Sequence, residues 1–181
     1  MLGQTQFIGN LALLNGQRLN EDWNKLQQNR PPATFKASLA NQSKNRFINI
    51  GADDGTRVIL QSGEYINANM VQSGYGSQRF ILSQGPLANT VDGFWKMLIQ
   101  NNVKMIIQLC LPFEKKLNQN TGMIEFKQKT AVYFPKNINE IKEAGLYHIK
   151  LMGCRGFVKN DEKVIRSEFW IYERLVYFWE T

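Results

Sequence analysis

At 181 residues, with 43% apolar and 20% charged residues, the chain has the make-up of one globular domain long enough to bury a core. Its net charge of +7 suits an anionic partner such as a phosphoprotein, a nucleic acid or a membrane surface. The basic residues form no dense run, however, so a solvated basic face is the simpler reading and no nucleic-acid partner is expected. No apolar run approaches the ~20 residues that span a bilayer, so no membrane segment is expected in this chain. The start, MLGQTQFIGNLALLNG, lacks a basic region and makes a poor secretion signal. Cys110 and Cys154 make no disulfide framework, which points to a reducing, cytoplasmic setting.

In chain order, Leu19, Trp23 and Leu26 recur at helical spacing. Asn20 is placed to cap that helix, Glu21 and Asp22 to sit in its first turn, and Pro31-Pro32 to end it. From Asn45 to Leu87 three short apolar runs lie between Gly, Ser and Asp clusters: Arg57–Leu60, Tyr65–Met70 and Arg79–Ser83. These read as consecutive strands with tight connections. Gly51-Ala-Asp-Asp-Gly55 is turn chemistry, and Pro86 must stop the third strand. Thr90–Asn101 reads as a helix capped by Thr90, with Val91, Phe94, Trp95 and Leu98 on its apolar face. Val103–Leu111 is nearly continuous apolar sequence and reads as a strand buried on both faces, so that helix plus strand suggest an α/β crossover. Residues 112–124 read as a loop, Lys127–Phe134 and Tyr147–Met152 as strands, and Glu140–Glu143 as a turn. Val164–Trp179 is aromatic and β-branched, favouring strands over the helix that periodicity alone permits. No repeat or linker splits the chain.

Six pieces carry a resemblance. They are Asn45-Arg46-Phe47, Arg57-Val58, Glu64-Tyr-Ile-Asn-Ala-Asn69, Phe80-Ile-Leu-Ser-Gln-Gly-Pro-Leu87, Phe94-Trp95 with Met97, and Lys129-Thr-Ala-Val-Tyr-Phe-Pro135. In this order they resemble the N-terminal half of a tyrosine-specific protein phosphatase domain of the cysteine-dependent family. The resemblance covers roughly residues 35–181. It implies an α/β fold with a mixed, twisted sheet flanked by helices. On this reading residues 1–30 are an N-terminal lead with one helix, and residues 31–181 are the N-terminal part of the phosphatase domain. The chain reaches Phe178-Trp179-Glu180-Thr181 where the family continues into Trp-Pro-Asp and later His-Cys-x5-Arg, so a fragment is expected.

The implied reaction is phosphotyrosine hydrolysis on proteins through a cysteinyl-phosphate, with no cofactor or metal. Its nucleophile is a thiolate in a phosphate-binding loop, and an Asp serves as general acid. Neither cysteine meets the pattern. Leu109 precedes Cys110 and Lys116 stands where Arg is required; Gly153 precedes Cys154 and Asn160 stands there. Both are expected to be structural, Cys110 in a buried strand and Cys154 beside a turn, so residues 1–181 alone are expected to be inactive. One His and two distant Cys make no zinc site, and His148 reads as a polar strand-face residue. By resemblance, Phe47 matches the aromatic that stacks on phosphotyrosine, the simpler role being a packed loop aromatic. Asn49 falls where an Asp binds the peptide backbone. Glu114 matches the acid that orients the phosphate-loop Arg, and Lys129 the base that contacts the mobile Asp loop. Arg46 supports the site, and Tyr65, Asn67 and Gln84–Leu87 look architectural. A catalytically inactive phosphatase-like interaction module is the alternative.

Overall fold

The computed structural model describes residues 16–73, 78–119, 121–159 and 162–173. The chain divides into two compact units, Met1–Ala33 and Thr34–Thr181. In the first, helix α1 spans Gly16–Gln28. It begins a turn earlier than expected, so Asn20, Glu21 and Asp22 lie inside it rather than at a cap. Asp22 meets Lys25 one turn on, at 3.5 Å. The Asn29 side chain donates to the Lys25 carbonyl at 2.9 Å, closing the last turn ahead of Pro31. Leu19, Trp23 and Leu26 are exposed on one side of α1.

The second unit opens with helix α2, Lys36–Ala40, whose orphan amides are satisfied from a distance. Asp54 accepts from the Lys36 N–H at 2.7 Å, the Ala37 N–H at 3.0 Å and the Thr34 hydroxyl at 2.8 Å. The turn expected at residues 51–55 presents this carboxylate, with Asp53 Oδ1 accepting from the Gly55 N–H at 3.1 Å.

Strands β1, Ala68–Gln72, and β2, Arg79–Ser83, pair antiparallel, with Ala68 opposite Ser83. Strand β2 falls where the sequence places it, while β1 starts three residues later than Tyr65. Arg57–Leu60 forms no strand. It makes one bridge, Arg57 to Asn69, and the Val58 N–H donates to the Ala68 carbonyl at 2.9 Å. The chain then leaves β1 to bury Leu60 and to turn at Gly63, whose φ is 75°.

Helix α3, Val91–Gln100, is the centre of the core. Phe94, Trp95, Met97 and Leu98 are buried against Leu60, Ile66, Tyr133 and Ile149. Trp95 is 1% exposed, and its Nε1 donates to the Tyr133 carbonyl at 2.7 Å. Truncating buried aromatics of this kind to Ala costs roughly 3–5 kcal/mol. Thr90 stands at the N-cap, but its hydroxyl turns back to accept from the Leu87 N–H at 2.8 Å and does not cap α3.

Residues 103–111 differ most from expectation. They form no regular secondary structure, and Leu109 is 94% exposed. A strand buried on both faces needs a neighbour on each edge, and among the described residues none pairs with this run. Cys110 is accordingly half-buried in an unpaired segment. Residues 112–124 are not simply a loop. Strands β3, Phe113–Leu117, and β4, Ile124–Gln128, form an antiparallel hairpin with Gly122 at φ 67°. The Lys129 N–H still donates to the Pro112 carbonyl at 2.8 Å, but Pro112 has no N–H to continue the ladder, and Ala131 donates instead to the Pro86 carbonyl at 2.7 Å, so β4 stops at Gln128.

The third sheet has the order β5-β6-β7. The turn expected at Glu140–Glu143 is not there: Ile141–Ala144 form β5, and the chain reverses beyond it at Gly145, φ 58°. Strand β6, Tyr147–Lys159, pairs antiparallel with β5 and with β7, Glu162–Glu173, and a bulge interrupts it between Leu151 and Gly153. Ile149 and Leu151 point into the core. Cys154 is exposed within β6 and not beside a turn. The end of the expected strand Val164–Trp179, beyond Glu173, lies outside the described residues. The architecture therefore combines helices with strands, as an α/β reading requires. Among the described residues, however, the strands form three small antiparallel sheets and no single mixed one.

The Ala37 N–H above all, with the Thr34 hydroxyl and the Lys36 N–H behind it, holds the Asp54 carboxyl below its ordinary range against the opposing effect of desolvation. A carboxyl depressed in the folded state contributes stability that is present above its unfolded value and lost as pH falls through the folded one. Protection of the Lys36 and Ala37 amides, measured relative to their intrinsic exchange rates, is therefore expected to fall on acidification below about pH 4. Asp54→Asn is expected to lower it already at neutral pH. Equal protection in wild type and variant across this range would show that Asp54 does not cap α2.

Candidate functional site

The segment Asn45–Ile50 is held in place by polar side chains reaching it from several elements. The Asn45 carboxamide oxygen accepts from the Tyr65 hydroxyl at 2.9 Å and from Asn67 Nδ2 at 3.0 Å. Asn67 Nδ2 also donates to the Ile50 carbonyl at 2.8 Å, so one buried amide holds both ends of the loop. Gln84 grips the loop's entry. Its Oε1 accepts from the Arg46 N–H at 2.9 Å and its Nε2 donates to the Lys44 carbonyl at 2.8 Å.

Arg46 then ties this loop to two other segments. Its guanidinium donates to the Gly85 carbonyl from Nε and Nη2 at 3.2 and 3.1 Å, to the Pro86 carbonyl at 2.8 Å, and to the Gln128 carbonyl at 3.3 Å. Burial lowers its pKa from the ordinary arginine value, and the nearby Cys110 partly opposes that shift. Cys110 also neighbours Tyr133, whose hydroxyl donates to Gln108 Oε1 at 2.8 Å. Burial foremost, then Cys110, pushes Tyr133 up to about 12.

With its base fixed, the loop presents Phe47, 41% exposed, and Asn49, also exposed. Lys127 Nζ lies 5.9 Å from the centre of the Phe47 ring, within reach of a cation–π interaction. Glu114 on β3 pairs with Lys129, the residue just past β4, at 2.7 Å. The structure thus places Arg46, Phe47 and Asn49 on one loop and joins Glu114 directly to Lys129. Through the Arg46–Gln128 bond it links the two groups. Lys127 was not singled out from the sequence. The signal was its position across a hairpin from Glu114, hidden once residues 112–124 were read as a loop.

The sequence profile of the protein-tyrosine phosphatase family matches residues 41–175, and the chain belongs to that family. Its relatives include the human tyrosine-protein phosphatase non-receptor type 12, 42% identical over 80 residues, covering 41% of this chain and 10% of the relative. The rat tyrosine-protein phosphatase non-receptor type 20 is 32% identical over 132 residues, covering 70% of this chain and 29% of the relative. The mouse tyrosine-protein phosphatase non-receptor type 2 is 35% identical over 116 residues, 62% of this chain and 26% of the relative. The chain thus spans less than a third of the length of each of these three relatives. No helix among the described residues is long and apolar enough to cross a membrane.

Arg46→Ala is expected to lower stability to urea by about 2 kcal/mol, since hydrogen bonds from a charged donor contribute roughly 1.5–3 kcal/mol. Arg46→Lys is expected to recover only part of this, because an ammonium cannot fork across several carbonyls. A Lys variant as stable as wild type would show that the fork is not needed.

Proposed function

We propose that this chain forms the substrate-facing wall of a protein tyrosine phosphatase domain that removes phosphate from phosphotyrosine on proteins. The observation that carries the reading is Phe47. It is an aromatic face left partly open on a loop whose every anchor is satisfied, within the segment matched to the family. An aryl ring stacked on Phe47 gains offset-stacking energy and buried area. Asn49, exposed beside it, both donates and accepts, as a group binding a peptide backbone must. Arg46 keeps the loop rigid, and the Glu114–Lys129 pair stands ready to orient groups on the reactive side.

The residues of this chain bind and orient; the bond-breaking groups are a different set. Phosphoryl transfer through a cysteinyl-phosphate requires a thiolate with an arginine six residues on. Cys110 and Cys154 are followed at that spacing by Lys116 and Asn160. The nucleophile, its arginine and the general acid are therefore assigned to a further part of the domain, and residues 31–181 to an incomplete phosphatase fold whose mixed sheet that part completes. The exposed apolar run at 103–111 is consistent with this assignment. The cytoplasm is the setting such a chemistry and two free thiols suit.

A phosphotyrosine peptide titrated into isotope-labelled 1–181 is expected to shift resonances of residues 45–50, and its unphosphorylated form to shift them less. Phe47→Ala is expected to weaken the effect about fivefold, in line with roughly 1 kcal/mol for an aromatic pair. The same chain is expected to release no phosphate from an aryl phosphate. Turnover that disappears on replacing Cys110 or Cys154 would overturn the assignment of the nucleophile elsewhere.

A further inference from the structure

The β3–β4 hairpin carries charge on the face toward Phe47. Strand alternation places Glu114, Lys116, Glu125 and Lys127 on one side, with Phe113, Leu117, Ile124 and Phe126 on the other. The charged side nearly neutralises itself. Lys116 stands opposite Glu125 in the register, and that carboxylate accepts from Asn118 Nδ2 at 2.6 Å. Lys127 stands opposite Glu114, but that carboxylate is taken by Lys129 at 2.7 Å. Among the described residues Lys127 makes no ion pair, and its ammonium rests 5.9 Å from the Phe47 ring centre.

A cation–π contact at an exposed site is weak, about 0.5–1 kcal/mol. An ammonium held in this way yields readily to a carboxylate. An aryl ring arriving on Phe47 needs the space above the ring and displaces the ammonium to the ring's edge. There it meets whatever flanks the ring in the incoming peptide. Resting on the phosphotyrosine reading above, we infer that Lys127 is a specificity-determining residue that selects peptides with an acidic side chain next to the phosphotyrosine. Lys129, committed to Glu114, does not compete for that role, and Arg46 is turned inward to backbone carbonyls.

The test uses two phosphotyrosine peptides, one flanked by Asp and Glu and one by Ala and Gln, titrated into labelled 1–181 and its Lys127→Gln variant at low and high salt. The acidic peptide is expected to bind wild type roughly threefold more tightly, the scale of one exposed ion pair, with the margin shrinking at high salt. Lys127→Gln is expected to erase the margin, with the neutral peptide bound no more weakly than by wild type, since its ring no longer has an ammonium to displace. A margin that survives the substitution, or equal binding of both peptides to wild type, overturns the role of Lys127 and leaves the phosphotyrosine site standing. A variant that weakens both peptides equally shows the ammonium reading the phosphate itself and also overturns it. Binding of neither peptide overturns the inference together with the site. Unchanged resonances outside the hairpin and residues 45–50 verify that the variant is folded.

Discussion

The geometry of the second unit turns on one guanidinium. Arg46 gathers the carbonyls of Gly85, Pro86 and Gln128, groups 39 to 82 residues away along the chain. A buried carbonyl without a donor is costly, and a planar fork satisfies several at once. Remove the fork and three segments lose their common partner: the loop bearing Phe47, the end of β2, and the exit from β4. The aromatic face and the acid–base pair then no longer share a frame.

That frame is polar where the rest of the core is not. Around Trp95 the packing is aromatic, with Phe94, Tyr133, Phe134 and Phe169 meeting edge to face. Apolar contacts of this sort tolerate small slides. Directional bonds from Asn45, Asn67 and Gln84 do not, and they surround the loop that must be held in one conformation. The division suits a site. Burial supplies the stability, while hydrogen bonds set the position of the loop that carries Phe47 and Asn49.

How much of this was legible in the sequence depends on how far each signal reached. Helix α3 was readable because Phe94, Trp95 and Leu98 repeat within ten residues, and β2 because Pro86 closes it. The run 103–111 misled, since its composition describes a strand's appetite for neighbours but not whether neighbours exist. The β3–β4 hairpin was missed because its strands are exposed throughout and so carry no alternation of burial. At the candidate site, family motifs pointed to Arg46, Phe47, Asn49, Glu114 and Lys129. The Glu114–Lys129 pairing and the proximity of Lys127 to Phe47 depend on a hairpin register that motifs do not encode.

Because Arg46 reads carbonyl oxygens, the side chains at its partner positions are largely free to drift, since any residue offers the same acceptor. Gly85 is the exception. A Cβ there would come within 2.8 Å of the Lys129 carbonyl and 2.9 Å of the Thr130 Cβ, neither of which can swing aside. Even alanine at this position would wedge the end of β2 away from residues 129–130. Mutational tolerance around this arginine is thus broad in chemistry and narrow in volume, limited at one point by the thickness of a single methyl group.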